Sequence, residues 1–135
     1  MADDALEQRV LVLTPTGRDS VATTELLHRA NLVTEVCQNF TELIVHLGEG
    51  AGSALIAEEA LTREGYSTLV AWVDAQPAWS DLPFIILSSR NDSAPLRAWR
   101  EEAISRLRNV SLLERPVQGV TLISALRVAL RARSK

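Results

Sequence analysis

Polar side chains follow four apolar, strand-like segments at the points where those segments end. They are Thr14 after residues 9–13, Glu58 after residues 53–57, Ser88 near the end of residues 83–89, and Arg115 after residues 110–114. The carboxyl ends of parallel strands share one edge of an open α/β sheet, where ligands and chemistry gather. At that edge, Arg115 could pair with the Glu58 carboxylate and Ser88 could donate a hydrogen bond to it. The sequence therefore predicts a charged site centred on Glu58.

Strand-like and helix-like patterns alternate along the chain. Residues 53–57 form an apolar run without a helical period, which is typical of a strand buried on both faces. Apolar residues then recur at helical spacing, first at Val21, Leu26, Leu27 and Ala30 and later at Tyr66, Leu69, Val70 and Val73. The strands are predicted at 9–13, 32–37, 53–57, 83–89 and 110–114, with helices at 19–30, 41–47, 62–76, through 96–107 and through 122–135. Five strands alternating with five helices predict an α/β fold, a flavodoxin-like three-layer (βα)5 sandwich around a five-stranded parallel sheet.

Length and composition limit the class of protein. The 135 residues, 47% hydrophobic and 23% charged, predict one domain at 9–135 after a flexible tail at 1–8. The apolar runs are too short to span a bilayer, and the polar, acidic start is not a secretory signal. One cysteine, Cys37, excludes an internal disulfide and favours a reducing, cytoplasmic compartment. The last helix runs to Lys135 without a stop signal, so we expect the chain to be a fragment that continues into another domain.

Charge is distributed unevenly along the chain. Residues 1–96 carry 14 acidic and 5 basic side chains, a net charge of −9, whereas residues 97–135 carry 9 basic and 3 acidic side chains, a net charge of +6. The basic segment 97–135 is either a solvated surface or a face that docks an acidic partner. Nucleic acid is not the expected partner, because the basic segment lacks interleaved aromatic residues and the sequence pI is about 5.4.

The positions at the strand ends resemble those of the receiver domains of two-component signalling, over nearly the whole chain. In that family, an aspartate after the third strand accepts a phosphoryl group, an acidic pair after the first strand holds Mg²⁺, and a hydroxyl and a Lys-Pro pair follow the fourth and fifth strands. The resemblance assigns Glu58 to the acceptor position, Thr14 and Pro15 to the acidic pair, Ser88 to the hydroxyl and Arg115 to the lysine. Leu112 stands where the family often has an aromatic switch residue.

Departures from the family pattern predict that phosphorylation chemistry is lost. Thr14 and Pro15 supply no carboxylate for Mg²⁺, Glu58 is one methylene longer than aspartate, and arginine differs from lysine in shape and reach. We expect a degenerate receiver domain, or pseudo-receiver, that is not an enzyme, binds no metal or cofactor, and forms the N-terminal module of a hybrid sensor histidine kinase. The ion pair expected between Glu58 and Arg115 either locks one conformation or is an ordinary structural salt bridge.

Partner binding is the expected function. The resemblance implies docking or self-association through the fourth helix, fifth strand and fifth helix, with a histidine kinase module or a second copy as the partner. The arginines expected on that face are Arg97, Arg100, Arg106, Arg108, Arg127 and Arg131. We expect charge reversal at Arg127 and Arg131 to weaken association.

Two other functions remain open. Residues Thr14–Asp19 resemble the phosphate-binding loop of flavodoxins, so the chain could be an anion- or nucleotide-binding module in which helix N–H groups bind the anion. A receiver that still accepts phosphate on Glu58 is the second alternative. His28 and His46 lack the spacing of metal ligands, Cys37 is expected to be a small buried hydrophobe, and Trp99 is expected to pack in the core.

Overall fold

Five parallel strands lie between two layers of helices. The computed structural model describes residues 8–14, 17–57, 60, 63–76, 82–88, 101–102, 105–107, 109–114 and 118–133. The strands are β1 (Val10–Leu13), β2 (Thr34–Val36), β3 (Ser53–Ala57), β4 (Phe84–Ser88) and β5 (Val110–Glu114). The helices are α1 (Gly17–Arg29), α2 (Phe40–Glu49), α3 (Arg63–Asp74) and α4 (Gly119–Arg133).

The strands form a single sheet in the order β2-β1-β3-β4-β5, and every neighbouring pair is parallel. This order confirms the flavodoxin-like architecture predicted from the alternation of strands and helices. β3 is the central strand and β1 lies beside it, and all residues of both strands are buried. Their continuous apolar sequence is explained by helices on both faces.

Alternation along β1 divides the core into two clusters. Leu11 and Leu13 belong to the cluster that α2 and α3 cover, whereas Val10 and Val12 belong to the cluster that α1 and α4 cover. Successive side chains of a strand point to opposite faces, so one four-residue strand contributes to both layers. The predicted core residues of α3 are all buried: Tyr66, Leu69, Val70 and Val73.

The helix α1 begins earlier than predicted, and one residue that was predicted on its apolar side is exposed to solvent. It starts at Gly17 rather than near Asp19, and Val21, predicted on its apolar side, is 59% exposed. Leu27 is fully buried, and a position six residues before it is rotated roughly 120° away at 3.6 residues per turn. The assignment of Val21 to the core was therefore wrong.

Hydrogen bonds fix both ends of the segment that leads from α1 to α2. Asn31 has a φ of 64°, and its N–H donates to His28 O while Leu32 N–H donates to Leu27 O. This left-handed cap ends α1 and releases the chain into β2. At the start of α2, the Asn39 side chain accepts from Glu42 N at 2.9 Å, so the helix begins before the predicted Thr41.

The segment between β4 and β5 is described only near its end. Residues 101–102 and 105–106 are helical, and Leu107 is buried in the α2–α3 cluster, as the predicted helix requires. The rest of that helix, with Trp99, lies outside the described residues. Among the residues that are described, no helix combines the length and apolarity needed to span a membrane.

Candidate functional site

The strand register aligns the ends of four strands at the carboxyl edge of the sheet. The paired ends are Leu13 with Ile56, Ala57 with Leu87, and Ser88 with Glu114. Thr14 directly follows β1, and Ser88 is the last residue of β4. The structure therefore places Thr14 and Ser88 at the edge where the sequence predicts a site.

The other residues predicted at this edge are not among those that the structure describes. Pro15, Glu58 and Arg115 lie outside the described ranges, and so do three arginines of the predicted interaction face, Arg97, Arg100 and Arg108. The ion pair between Glu58 and Arg115 thus remains a prediction. The strand ends that precede Glu58 and Arg115 in the sequence, Ala57 and Glu114, are described and lie at the same edge.

The Thr14 hydroxyl points inward. Its Oγ1 atom is buried and has no hydrogen-bond partner among the residues that the structure describes. An unpaired buried hydroxyl costs roughly 1–3 kcal/mol. This oxygen is neutral and shielded from solvent, whereas Mg²⁺ is usually held through one or two carboxylates and several water molecules. The side chain at the end of β1 therefore does not fit a magnesium site. Within the described ranges, no group of three or more metal-ligating side chains comes together.

At the amino-terminal ends of the strands, Arg9 forms a polar cluster that sequence analysis did not predict. Arg9 is 7% exposed, and its guanidinium donates to Gly50 O at 2.8 Å and to His46 O at 3.2 Å. It also forms ion pairs with Glu49 at 3.3 Å and with Glu35 at 3.6 Å. The guanidinium thereby caps the carbonyl end of α2 and connects it to the start of β1 and to β2. An arginine that directly precedes an all-apolar strand is the sequence signal that could have revealed the cluster.

Glu49 accepts hydrogen bonds from two sides in this cluster. The His46 ring lies 2.9 Å from its carboxylate, and this hydrogen bond, together with that from Arg9, lowers the pKa of Glu49 below its ordinary value of 4.5. A lowered carboxyl pKa stabilises the fold above the pKa of the unfolded chain, and this stabilisation is lost as the pH falls through the folded value. The cluster is therefore intact at neutral pH and weakens in acid.

Cys37 is a buried structural residue, as predicted. It follows β2, its N–H donates to Val12 O at 2.8 Å, and only 2% of the residue is exposed. Burial, followed by the nearby carboxylates of Glu42 and Glu35, raises the pKa of the thiol to about 11. The thiolate is the reactive form of cysteine, so this residue is inert in the folded protein.

We expect the Cys37 thiol to resist labelling until the chain unfolds. At pH 8, a thiol with a pKa of about 11 is ionised in about one molecule in a thousand, and its sulfur is also buried. With a chromogenic disulfide reagent, one thiol per chain should react in guanidinium chloride and almost none under native conditions. Because its folded pKa is raised, the stabilisation from the protonated thiol is complete below pH 9 and is lost as the pH rises towards 11. Rapid stoichiometric labelling of the native protein would contradict this account.

Arginines of the predicted interaction face contact the rest of the chain. Arg127 is exposed, and its Nη2 donates to Ala30 O at 3.0 Å, which joins α4 to the end of α1. Arg106 pairs with Asp74 at 3.6 Å on the surface, and Arg131 donates to Arg127 O at 3.4 Å. Reversing the charge of Arg127 would also remove the contact with α1, so its effect on partner binding has to be compared with its effect on stability.

Comparison with known proteins identifies the fold. No protein-family model matches the sequence, and no curated protein is significantly similar to it. A CheY-like response regulator receiver domain protein from Methanospirillum hungatei JF-1 superposes with a TM-score of 0.73 at 14% identity, over 94% of this chain and 96% of that chain. For the receiver domain of the Francisella response regulator 1452, the TM-score is 0.72 at 19% identity, over 95% and 99%.

A longer protein contains the same fold. NtrX from Brucella abortus superposes with a TM-score of 0.71 at 16% identity, and the match covers 93% of this chain but only 26% of NtrX. At these identities, the likeness establishes the three-dimensional arrangement. The chain therefore has the receiver-domain fold.

Proposed function

We propose that this chain is a receiver domain without phosphotransfer chemistry and that it acts in two-component signalling by contact with other proteins. The Thr14 hydroxyl is the observation that carries the proposal. It is buried and neutral, it has no hydrogen-bond partner within the described ranges, and it occupies the strand end at which the resembling family has acidic metal ligands. The receiver-domain fold supports the signalling context.

Electrostatics explains why this position matters. When a carboxylate attacks a phosphoryl group, two anions approach each other, and a bound cation is needed to offset their repulsion. Neither Thr14 nor Pro15 supplies a carboxylate to hold that cation. The longer side chain of Glu58 would also shift the position of an attacking oxygen. We therefore infer a non-catalytic role for the domain.

Protein contact is the function that this fold can perform without the lost chemistry. We propose that the domain belongs to a larger cytoplasmic signalling protein, such as a sensor histidine kinase, and that it binds a kinase module or a second copy of itself. In this proposal, the Glu58 carboxylate and the Arg115 guanidinium replace the switchable phosphoryl site with a permanent ion pair.

An NMR titration of the chain tests this proposal. Amide spectra are recorded while Mg²⁺ and then beryllofluoride, a mimic of the acyl phosphate, are added. We expect no saturable shifts at Thr14, Glu58, Ser88 or Arg115, because no pair of carboxylates holds the cation. Inorganic phosphate, added separately, tests the alternative anion site at Thr14–Asp19.

A restored-site variant is the matched control. The triple substitution Thr14→Asp, Pro15→Asp and Glu58→Asp supplies the missing carboxylates, and we expect it to show saturable Mg²⁺ shifts at this edge. A silent wild-type chain beside a responsive variant would support the proposal. Saturable shifts of the wild-type chain with beryllofluoride would contradict it and would direct attention to phosphotransfer.

A further inference from the structure

In the part of the chain that the structure describes, no strand pairs with the outer edge of β5. β5 pairs with β4 on one side and is the last strand in the sheet order. Ser111 is exposed, and Leu112 is 46% exposed although it lies opposite the fully buried Ile86. An edge strand presents a row of unpaired backbone groups, which is a template for pairing with another chain.

The other lateral edge of the sheet is formed by β2. It is shorter than the β5 edge, and its side chains interact with other residues of the protein. β2 has three residues. Thr34 Oγ1 lies 3.1 Å from His28 Nε2, and Glu35 pairs with Arg9. Short edge strands and charged side chains on an edge strand both protect a sheet against the addition of another strand. The two edges therefore differ in their capacity to accept a strand.

The sequence of β5 has few of the features that block pairing. Its five residues, Val-Ser-Leu-Leu-Glu, include no lysine and no proline, and its one charged residue stands at the end. Antiparallel pairing of two such strands about Leu112 is self-complementary. Leu112 would face Leu112 of the second copy, and Val110 would face Glu114, so that no like charges lie directly opposite each other.

We propose that β5 of one copy pairs antiparallel with β5 of a second copy around Leu112, joining the two sheets into one. This inference rests on the proposed function, because it specifies how the domain associates. Symmetric packing of α4 against α4 is the competing arrangement. It would bring the exposed Arg127 and Arg131 of two copies together, and the described part of α4 carries no acidic residue to offset them. Pairing at the β5 edge avoids that repulsion.

Sedimentation equilibrium over a series of protein concentrations tests the pairing. We expect the wild-type chain to form dimers in a concentration-dependent manner. The dimer dissociation constant of Leu112→Asp should be at least about tenfold higher, because this substitution places two carboxylates opposite each other. Val128→Asp is the matched control, because Val128 is 59% exposed on α4. It should leave the dimer unchanged, and both variants should keep the wild-type circular dichroism spectrum. A monomer at every concentration, or a dimer weakened only by Val128→Asp, would overturn the inference.

Cysteine crosslinking tests the register independently. Directly opposed residues of antiparallel strands have Cα atoms about 4.5–5.5 Å apart, within disulfide range. With an added oxidant, Leu112→Cys should form a covalent dimer. Ser111→Cys should not, because two copies of residue 111 would be diagonal neighbours about 7–8 Å apart. The wild-type chain controls for Cys37, and equal crosslinking of the two variants would refute the register.

These outcomes are separable from a failure of the proposed function. A monomeric chain that gives no response to Mg²⁺ and beryllofluoride would overturn the β5 pairing and leave the non-catalytic role standing. A chain that responds to beryllofluoride would overturn that role whatever its oligomeric state.

Discussion

Replacing Arg9 with methionine is expected to lower the free energy of unfolding by about 2–3 kcal/mol, because buried hydrogen bonds to charged groups are lost. The guanidinium is the donor for two carbonyl groups of the α2 end and the counterion of two carboxylates. Methionine keeps most of the aliphatic volume, so the measured loss reports the polar contacts and not a cavity. Urea unfolding of the two proteins at neutral pH gives the difference.

Arg29→Met is the control for this substitution. Arg29 lies in the last turn of α1, is exposed, and makes no hydrogen bond or ion pair in the described part of the chain. Its replacement should change the stability by less than about 0.5 kcal/mol, as is usual for exposed positions. Equal effects of the two substitutions would show that net charge, and not the Arg9 cluster, determines the loss.

The layers of the fold were predictable because their signals are local. A strand covered on both faces is apolar throughout, as in residues 53–57, and the spacing of Tyr66, Leu69, Val70 and Val73 marks one face of a helix. These patterns do not depend on distant residues. They were sufficient to predict a five-stranded parallel sheet covered by helices once right-handed crossovers were assumed.

The features that escaped prediction depend on residues far apart in the sequence. Arg9 meets Glu49 across 40 positions, and Arg127 meets Ala30 across 97. No periodicity reports such a contact. Val21 was misassigned for a related reason, since a helical pattern marks an apolar stripe but the buried direction depends on which neighbours cover it.

The position of Thr14 at the strand end was predictable, but the burial of its hydroxyl was not. The end of β1 at Leu13 places Thr14 at the carboxyl edge, as the sequence indicated. The burial of its hydroxyl is a consequence of how the edge packs and could not be derived from residue type. The burial of this hydroxyl is a second departure, beside the missing carboxylate, from the oxygen ligands that Mg²⁺ prefers.

Leu126→Ala is expected to destabilise the fold by about 3 kcal/mol, the usual cost of removing a fully buried leucine side chain. Leu126 is 0% exposed and belongs to the cluster in which α1 and α4 pack on the sheet, together with Val10, Val12, Leu27, Leu55, Ile85 and Leu87. Truncation leaves a cavity between α4 and the sheet, and the surrounding strands are too constrained to close it. Chemical unfolding followed by circular dichroism measures the loss.

Val128→Ala separates this packing effect from a change in helix propensity. Val128 lies two residues further along α4 and is 59% exposed, so its truncation should change the stability by no more than about 0.5 kcal/mol. The contrast matters for function, because Leu113 of β5 packs against the same cluster as Leu126. A loss below about 1 kcal/mol for Leu126→Ala would mean that α4 is not firmly packed. In that case α4 would be displaced from the sheet, and the repulsion between Arg127 and Arg131 of two copies would no longer distinguish α4 from β5 as the association surface.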